Sequence, residues 1–245
     1  MELNEYSTMF NVEDDLWWYR GLRALIFKYI TNYFVGRKGL KLLDAGCGTG
    51  AFLSRCRNYK STGIDLSGEA VRFCKQRGLG NVGIASITNI PFSSSIFDIV
   101  VSCDVLCQLA EGHDEATLEE FNRVLKPGGV LILNLPAFEA LKSSHDKAVH
   151  IKHRYTRSEV TKKIKKAGFE VEKISYRNFF LFPVAVVVRL VKKIFTSQED
   201  LSSDLSLPHP TINKLLTCVL AIENKIMPGG DFPVGLSVFC VAVKK

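Results

Sequence analysis

The sequence predicts an α/β fold, a doubly wound parallel sheet with helices on both faces, and three observations carry that expectation. Short apolar runs at 40–44, 60–65, 81–85, 97–103, 130–135 and 169–176 are separated by polar or Gly- and Pro-rich breaks. Stretches with helical spacing of apolar side chains lie between several of them, and that alternation gives a layered parallel sheet. The run Phe97-Asp-Ile-Val-Val-Ser-Cys103 is almost unbroken, as a parallel strand buried on both faces should be.

Each element has a local reason. Leu16, Trp17, Leu22, Leu25, Ile26, Tyr29, Ile30 and Phe34 recur at helical spacing within 13–35, and Asp14 and Asp15 suit a positive helix start. The first strand, 40–44, runs into a glycine turn from which a helix is expected near Gly50. Ser67 can cap a helix that continues to Arg77. A helix near 115–125 carries Leu118, Phe121, Val124 and Leu125 on one face, and Lys126-Pro-Gly-Gly129 stops it. Thr156-x-x-Glu159 is a capping-box signal, and Gly168 ends the helix that follows. After the sixth strand the pattern changes to an apolar-basic segment, 179–195, and a polar stretch, 196–206. Leu207-Pro-His-Pro210, a helix near 211–227 and a last strand over 235–244 complete the chain.

Composition bounds the class. A chain of 245 residues that is 47% apolar can bury one full core, and no repeat or low-complexity run interrupts it. The purely apolar run 179–188 is too short to span a bilayer. Glu2, Glu5, Glu13, Asp14 and Asp15 give the N-terminus no secretory pattern. Seven scattered cysteines show no paired zinc spacing, so reduced thiols in a cytoplasm and no metal site are expected. The net charge of +7 concentrates in 152–166 and 189–193. It reads as a solvated helix face, or as a surface for an anionic substrate or membrane. No basic patch interleaved with aromatics supports nucleic-acid binding, and none is expected.

The chemistry concentrates in Asp44-Ala-Gly46-Cys47-Gly48-Thr-Gly50 and Gly63-Ile-Asp65-Leu66. Glycines let the backbone approach a ligand closely, and an acid at the tip of the second strand can accept from ribose hydroxyls. By spacing alone Gly46-x-Gly48-x-x-Ala51 with Asp65 fits a dinucleotide site, so a nicotinamide-dependent oxidoreductase is one alternative. A wider set occurs in order: the glycine loop, Gly63-Ile-Asp-Leu-Ser67, Ile90-Pro-Phe92, Phe97-Asp98-Ile-Val and Val124-Leu-Lys-Pro-Gly-Gly-Val-Leu-Ile132. Over residues 40 to 175 that set resembles the class I S-adenosylmethionine-dependent methyltransferases. Trp17-Trp18-Tyr19-Arg20-Gly21, His145-Asp146, Arg154-Tyr155-Thr156 and Asn178-x-x-Leu181-Phe-Pro183 resemble a subgroup of uncharacterised prokaryotic members.

The resemblance implies a mostly parallel, seven-stranded, Rossmann-like sheet with an antiparallel last strand, and S-adenosyl-L-methionine as cofactor. It places Gly46, Cys47, Gly48 and Gly50 around the methionine part, with Asp44 organising the loop. It sets Asp65 on the ribose, Leu66 on the adenine face, Ser86 and Ile87 at the adenine edge, and the Cys103 carbonyl near the amino group. Two positions depart from it: Ser86 stands where relatives carry an aspartate, and Cys107-Gln108 where they carry Glu-His. Those departures keep alive a second alternative, a non-catalytic module of methyltransferase fold.

The acceptor side is read from what remains. His145, His150, His153 and Tyr155 follow the fifth strand at the carboxyl edge, so they are candidates for substrate binding or proton removal. Trp17, Trp18, Tyr19 and Arg154 are candidate substrate contacts, with one tryptophan facing the cleft and the other the core. The 179–195 segment is either a strand and helix buried as a lid or an element dipping into a membrane surface. The domain reading is an N-terminal helical cap (1–36), a cofactor-binding α/β domain (37–178), a lid insertion (179–234) and a final antiparallel strand (235–245). The expected function is methyl transfer to oxygen of a small or lipid-like acceptor, in a cytoplasmic protein. The sequence is silent on oligomeric state.

Overall fold

The computed structural model describes residues 2–195 and 205–245. Seven strands form one sheet: β1 (Lys41–Ala45), β2 (Lys60–Asp65), β3 (Val82–Ile84), β4 (Phe97–Cys103), β5 (Leu125–Pro136), β6 (Phe169–Arg177) and β7 (Ser237–Lys244). Their order is β3-β2-β1-β4-β5-β7-β6, parallel from β3 to β5, with β7 antiparallel to both β5 and β6. The sheet is the one expected, reversed only where the last strand slots in. Ile99, Val100 and Val101 of β4 and Leu131 to Leu133 of β5 are buried, so the centre of the sheet is covered on both faces.

Helices α1 (Leu3–Val12) and α2 (Trp17–Tyr33) precede the sheet. α1 lies outside the helical stretch that periodicity indicated. Asp14 and Asp15 do not cap α2. Asp14 instead pairs with Arg77 and Arg55, while the amide of Trp17 donates to Asn213 Oδ1 at 2.9 Å. Asn213 belongs to α8 (Pro210–Ile226), so α2 takes its cap from a residue almost two hundred positions away. The two helices pack closely at Gly21, where an added Cβ would meet Leu220 Cδ1 at 2.5 Å. Leu22, Leu25, Ile26 and Ile30 form the buried face of α2, each contributing about 1.5–3 kcal/mol by burial.

The helix expected near Gly50 is absent; one 3-10 turn over Leu53–Arg55 replaces it. The chain must return to Lys60, which pairs with Lys41 at the start of β1. The remaining elements fall close to their expected places. They are α3 (Gly68–Gln76), capped by Ser67, α4 (His113–Val124), and α6 (Arg157–Lys166), capped by Thr156; the short α5 (Ser144–Ala148) has no counterpart in the sequence expectation. Gly168 closes α6 with φ 84°.

The segment after β6 forms a single helix, α7 (Phe182–Phe195), not a strand and helix. It is not buried as a lid against the core, because Val184, Val187 and Val188 are 63%, 59% and 47% exposed. Glu223 of α8 ties down its approach by accepting from the amides of Asn178 (2.5 Å) and Phe179 (2.8 Å). The expected polar stretch 196–206 lies, up to residue 204, outside the described residues. Among the described residues no helix is long and apolar enough to cross a membrane.

Candidate cofactor and acceptor site

A cavity of about 1050 Å³ opens at the carboxyl ends of β1, β2 and β4, below α1, α2 and α7. One end is polar and is built by the glycine loop. Gly46 has φ 90°, and a Cβ there would collide with Val105 Cγ2 at 2.2 Å, so only glycine lets β1 turn at this point. The amides of Gly46 and Cys47 donate to Ile64 O at 2.8 and 3.0 Å, tying the loop to β2. Asp65 then fixes the loop from the other side: Oδ2 accepts from the Gly48 amide and Oδ1 from the Ser67 amide, both at 2.9 Å. Each oxygen keeps a further lone pair, which is the capacity a ribose diol needs.

Asp44 lies beside this loop, 5% exposed, lining the cavity and with no donor of its own among the described residues. Burial, together with Asp65 and Glu13, pushes its carboxyl up to about 8. A buried, uncompensated carboxyl suits a cationic ligand. The residues present therefore fit a sulfonium and ammonium cofactor in chemistry as well as in motif.

The N-terminal segment closes the polar end. Tyr6 and Met9 of α1 line the cavity, and Met9 Cε would lie 2.7 Å from a Cβ on Gly48. Glu13, Asp14 and Arg77 hold this arrangement. Arg77 contacts Glu13 Oε1 at 2.8 Å and Asp14 Oδ2 at 2.6 Å, and its Nε donates to Thr49 O at 2.8 Å. Thr49 Oγ1 donates to Glu13 in turn. Arg23 lines the cavity and donates to the carbonyls of Glu13 and Asp14.

The other end is apolar, lined by Leu16, Trp17, Leu109, Leu181, Val184 and Val188 among others. Trp17 and Trp18 both line the cavity, edge to face at 5.8 Å, so neither is simply a core residue; Tyr19 lines it too. Leu66, Ser86, Ile87 and Cys103 also lie in the wall, with Leu66 74% exposed. Ser86 spends its hydroxyl locally, 2.7 Å from Thr88 Oγ1 and accepting from the Thr88 amide at 3.2 Å.

The candidate acceptor residues divide. His150 lines the cavity and bonds Glu2 Oε1 at 2.8 Å. Arg154 also lines it, but its guanidinium is held by Asp146 at 2.6 and 3.1 Å and by the Ala137 carbonyl at 3.1 Å. His153 and Tyr155 are not brought to the cavity. His153 bridges Glu139 and Glu159 at 2.9 and 2.8 Å, and the buried Tyr155 hydroxyl donates to Asp114 Oδ2 at 3.2 Å. The apolar ring of Tyr155 is core material, and burial beside Asp114 pushes its hydroxyl up, away from any role as a base. The side chain of His145 lies outside the described residues.

Sequence reading passed over Asp104, Glu13, Arg23 and Arg177. Asp104 carried a signal, since it directly follows β4 at the ligand edge of the sheet. Arg177 carried none, because nothing in its neighbours shows that β6 ends inside the molecule.

Comparison with known proteins agrees with this geometry. Residues 43–133 match the methyltransferase-domain family. An Arabidopsis thaliana tRNA (carboxymethyluridine(34)-5-O)-methyltransferase is 33% identical over 102 residues, 41% of this chain and 25% of its own. Phosphoethanolamine N-methyltransferase 3 of the same plant is 27% identical over 182 residues, 69% of this chain and 36% of its own. The chain thus spans between a quarter and about a third of the length of these two relatives. The crystal structure of an S-adenosylmethionine-dependent methyltransferase from Thermotoga maritima shares the fold. It superposes with a TM-score of 0.60 at 21% identity, over 99% of this chain and 96% of that one. Residues 43–133 thus form a methyltransferase domain, the chain shares the fold of an S-adenosylmethionine-dependent methyltransferase, and the nicotinamide alternative gains no support.

Proposed function

We propose that the protein transfers a methyl group from S-adenosyl-L-methionine to oxygen of a small, lipid-like acceptor. The observation that supports this reading is the continuous cavity, polar at Asp44 and Asp65 and apolar from Trp17 to Val188. A volume of about 1050 Å³ lies at the top of the range for small-ligand sites, room for a cofactor and an acceptor together. When bound, the cofactor supplies an electrophilic methyl on a sulfonium, so the protein contributes positioning and exclusion of water. Asp65 and the Gly46–Gly50 loop would hold the nucleoside and methionine parts, and Asp44 the cationic end. Trp17, Trp18, Leu109 and Leu181 would orient the acceptor and keep water away from it.

A peripheral membrane contact through 179–195 belongs to the same reading. The valines that line the apolar mouth, Val184 and Val188, are also exposed, and Arg189, Lys192 and Lys193 follow in sequence. The seven cysteines form no disulfide, which supports a reducing, cytoplasmic setting.

The test is calorimetric titration with S-adenosylhomocysteine, with NAD as control, followed by a radiolabelled methyl-transfer screen. Micromolar binding of S-adenosylhomocysteine alone is expected, with labelling strongest on hydroxyl compounds that carry an apolar tail. Preferential labelling of phosphoethanolamine or of tRNA would overturn the acceptor class, and binding of neither nucleotide would favour the non-catalytic module.

A further inference from the structure

Asp104 lines the cavity just past β4, and Arg177 lies buried behind the cavity residue Trp18. Asp104 stands one residue past β4 in the left-handed region, φ 59°, a conformation that aspartate tolerates better than most residues. Its loop is clamped. The Asp104 amide donates to Asn134 O at 2.8 Å, and Gln108 Nε2 donates to its carbonyl at 3.1 Å. A single donor, Asn134 Nδ2, serves both carboxylate oxygens, at 3.0 and 3.2 Å, and no cation pairs with them among the described residues. Asp104 lines the cavity with its remaining lone pairs unspent.

Arg177, at the end of β6, is 0% exposed, and its Nε, Nη1 and Nη2 have no hydrogen-bond partner among the described residues. Its guanidinium lies 5.4 Å from the ring centroid of Trp18, itself a cavity residue. Its charge is opposed by the buried Glu223 of α8 and by Asp104, without a hydrogen bond to either among the described residues, and a cation held this way keeps donors free for charge that develops at a reacting centre.

We propose that Asp104 is the general base for a hydroxyl acceptor and that Arg177 is the fixed counter-charge for the oxyanion formed; this rests on the methyltransferase reading above. The acceptor oxygen gives its proton to the Asp104 carboxylate and its electron pair to the methyl carbon. The carbon–sulfur bond breaks with its pair going to sulfur, leaving a neutral thioether, and the proton later passes from Asp104 to water. Once Asp104 is protonated, the Arg177 charge is opposed by Glu223 alone. That change favours an oxyanion and disfavours the ammonium that transfer to an amine would create beside Arg177.

The groups around Asp104 suit the role. Burial pushes its carboxyl up to about 6, opposed by the Asn134 hydrogen bond and by the charges of Arg177 on β6 and Arg154 after β5. Tyr19 on α2 and the thiols of Cys103 and Cys107 feel its charge and are held neutral by it and by burial. Asp104 is thus ionised at neutral pH yet more basic than an ordinary carboxylate.

The experiment is methyl transfer to a series of phenols of rising acidity, ending in 4-nitrophenol, of which about half is already ionised at neutral pH. Asp104→Asn should bind S-adenosylhomocysteine as the parent does in calorimetry, which also shows that it folds. It should lose about 100-fold or more in kcat on unsubstituted phenol and far less on 4-nitrophenol. The acid limb of the parent's kcat–pH profile, near pH 6, should vanish in the variant. Arg177→Lys, which keeps the charge, should retain much of the turnover that Arg177→Met loses. An equal loss across the whole series, or no loss, would overturn the proposal. A parent enzyme that binds S-adenosylhomocysteine but methylates none of the phenols would instead strike the acceptor reading itself.

Discussion

Asp44 shows how one side chain links cofactor, pH and stability. Its carboxyl is raised to about 8, so the ligand-free protein holds it neutral at pH 7. A cationic ligand favours the charged form. Binding of S-adenosylhomocysteine at pH 7 should therefore release a proton, measurable as a binding enthalpy that varies with the ionisation enthalpy of the buffer. Buffer-independent enthalpies would show that Asp44 does not meet the cation. The sign for stability runs the other way. A carboxyl that is raised in the folded state binds more protons there than when unfolded, so stability falls as pH rises from about 4 towards about 8. Asp44→Asn should flatten that fall in thermal denaturation of the ligand-free protein while weakening cofactor binding. Asp44, Gly46 and Asp65 were all legible in the sequence because backbone geometry and one carboxylate suffice to define them. Asp104 was legible only by position, since its chemistry depends on Asn134 and Arg177, 30 and 73 positions further along.

At the scale of elements, the N-terminal helices are fastened to the cofactor loop through one arginine. Arg77 ends α3, is 11% exposed, and reaches both Glu13, itself 7% exposed, and Asp14. Arg77→Ala would leave the Glu13 carboxylate buried without its cation, a change that costs about 3 kcal/mol or more. For a chain of this size that corresponds to a fall in Tm of about 6–12 °C. Weaker S-adenosylhomocysteine binding should accompany it, because Thr49 and the loop lose their support. A variant with the parent's Tm and affinity would show that α1 and α2 dock independently of this pair. Periodicity found α2 but not the fastening, since no local pattern pairs Glu13 with a residue at the far end of α3.

Across the whole molecule, the cavity runs from Asp65 to α7, and the apolar surface of α7 continues past the cavity mouth to Val187. Val187 is 59% exposed and does not line the cavity. Val187→Glu should leave S-adenosylhomocysteine affinity untouched and reduce co-sedimentation with vesicles rich in anionic lipid. Equal sedimentation of parent and variant would remove α7 as a membrane contact and leave it as the wall of an acceptor channel alone.

The sheet, the glycine loop and the acid at the tip of β2 follow from the sequence alone. Those depend on short-range rules: an unbroken apolar run is a strand buried on both faces, and a left-handed turn needs glycine. The sequence also placed most helix ends, through Ser67, Thr156 and Gly168. Tertiary packing set the rest. It put a single 3-10 turn, Leu53–Arg55, where a helix was expected after Gly50. It capped α2 from α8 and turned Tyr155 into the core. It also buried Arg177 behind Trp18 with no hydrogen-bond partner among the described residues and with Glu223 and Asp104 as its counter-charges, because the charge a guanidinium meets is set by which strands and helices close around it.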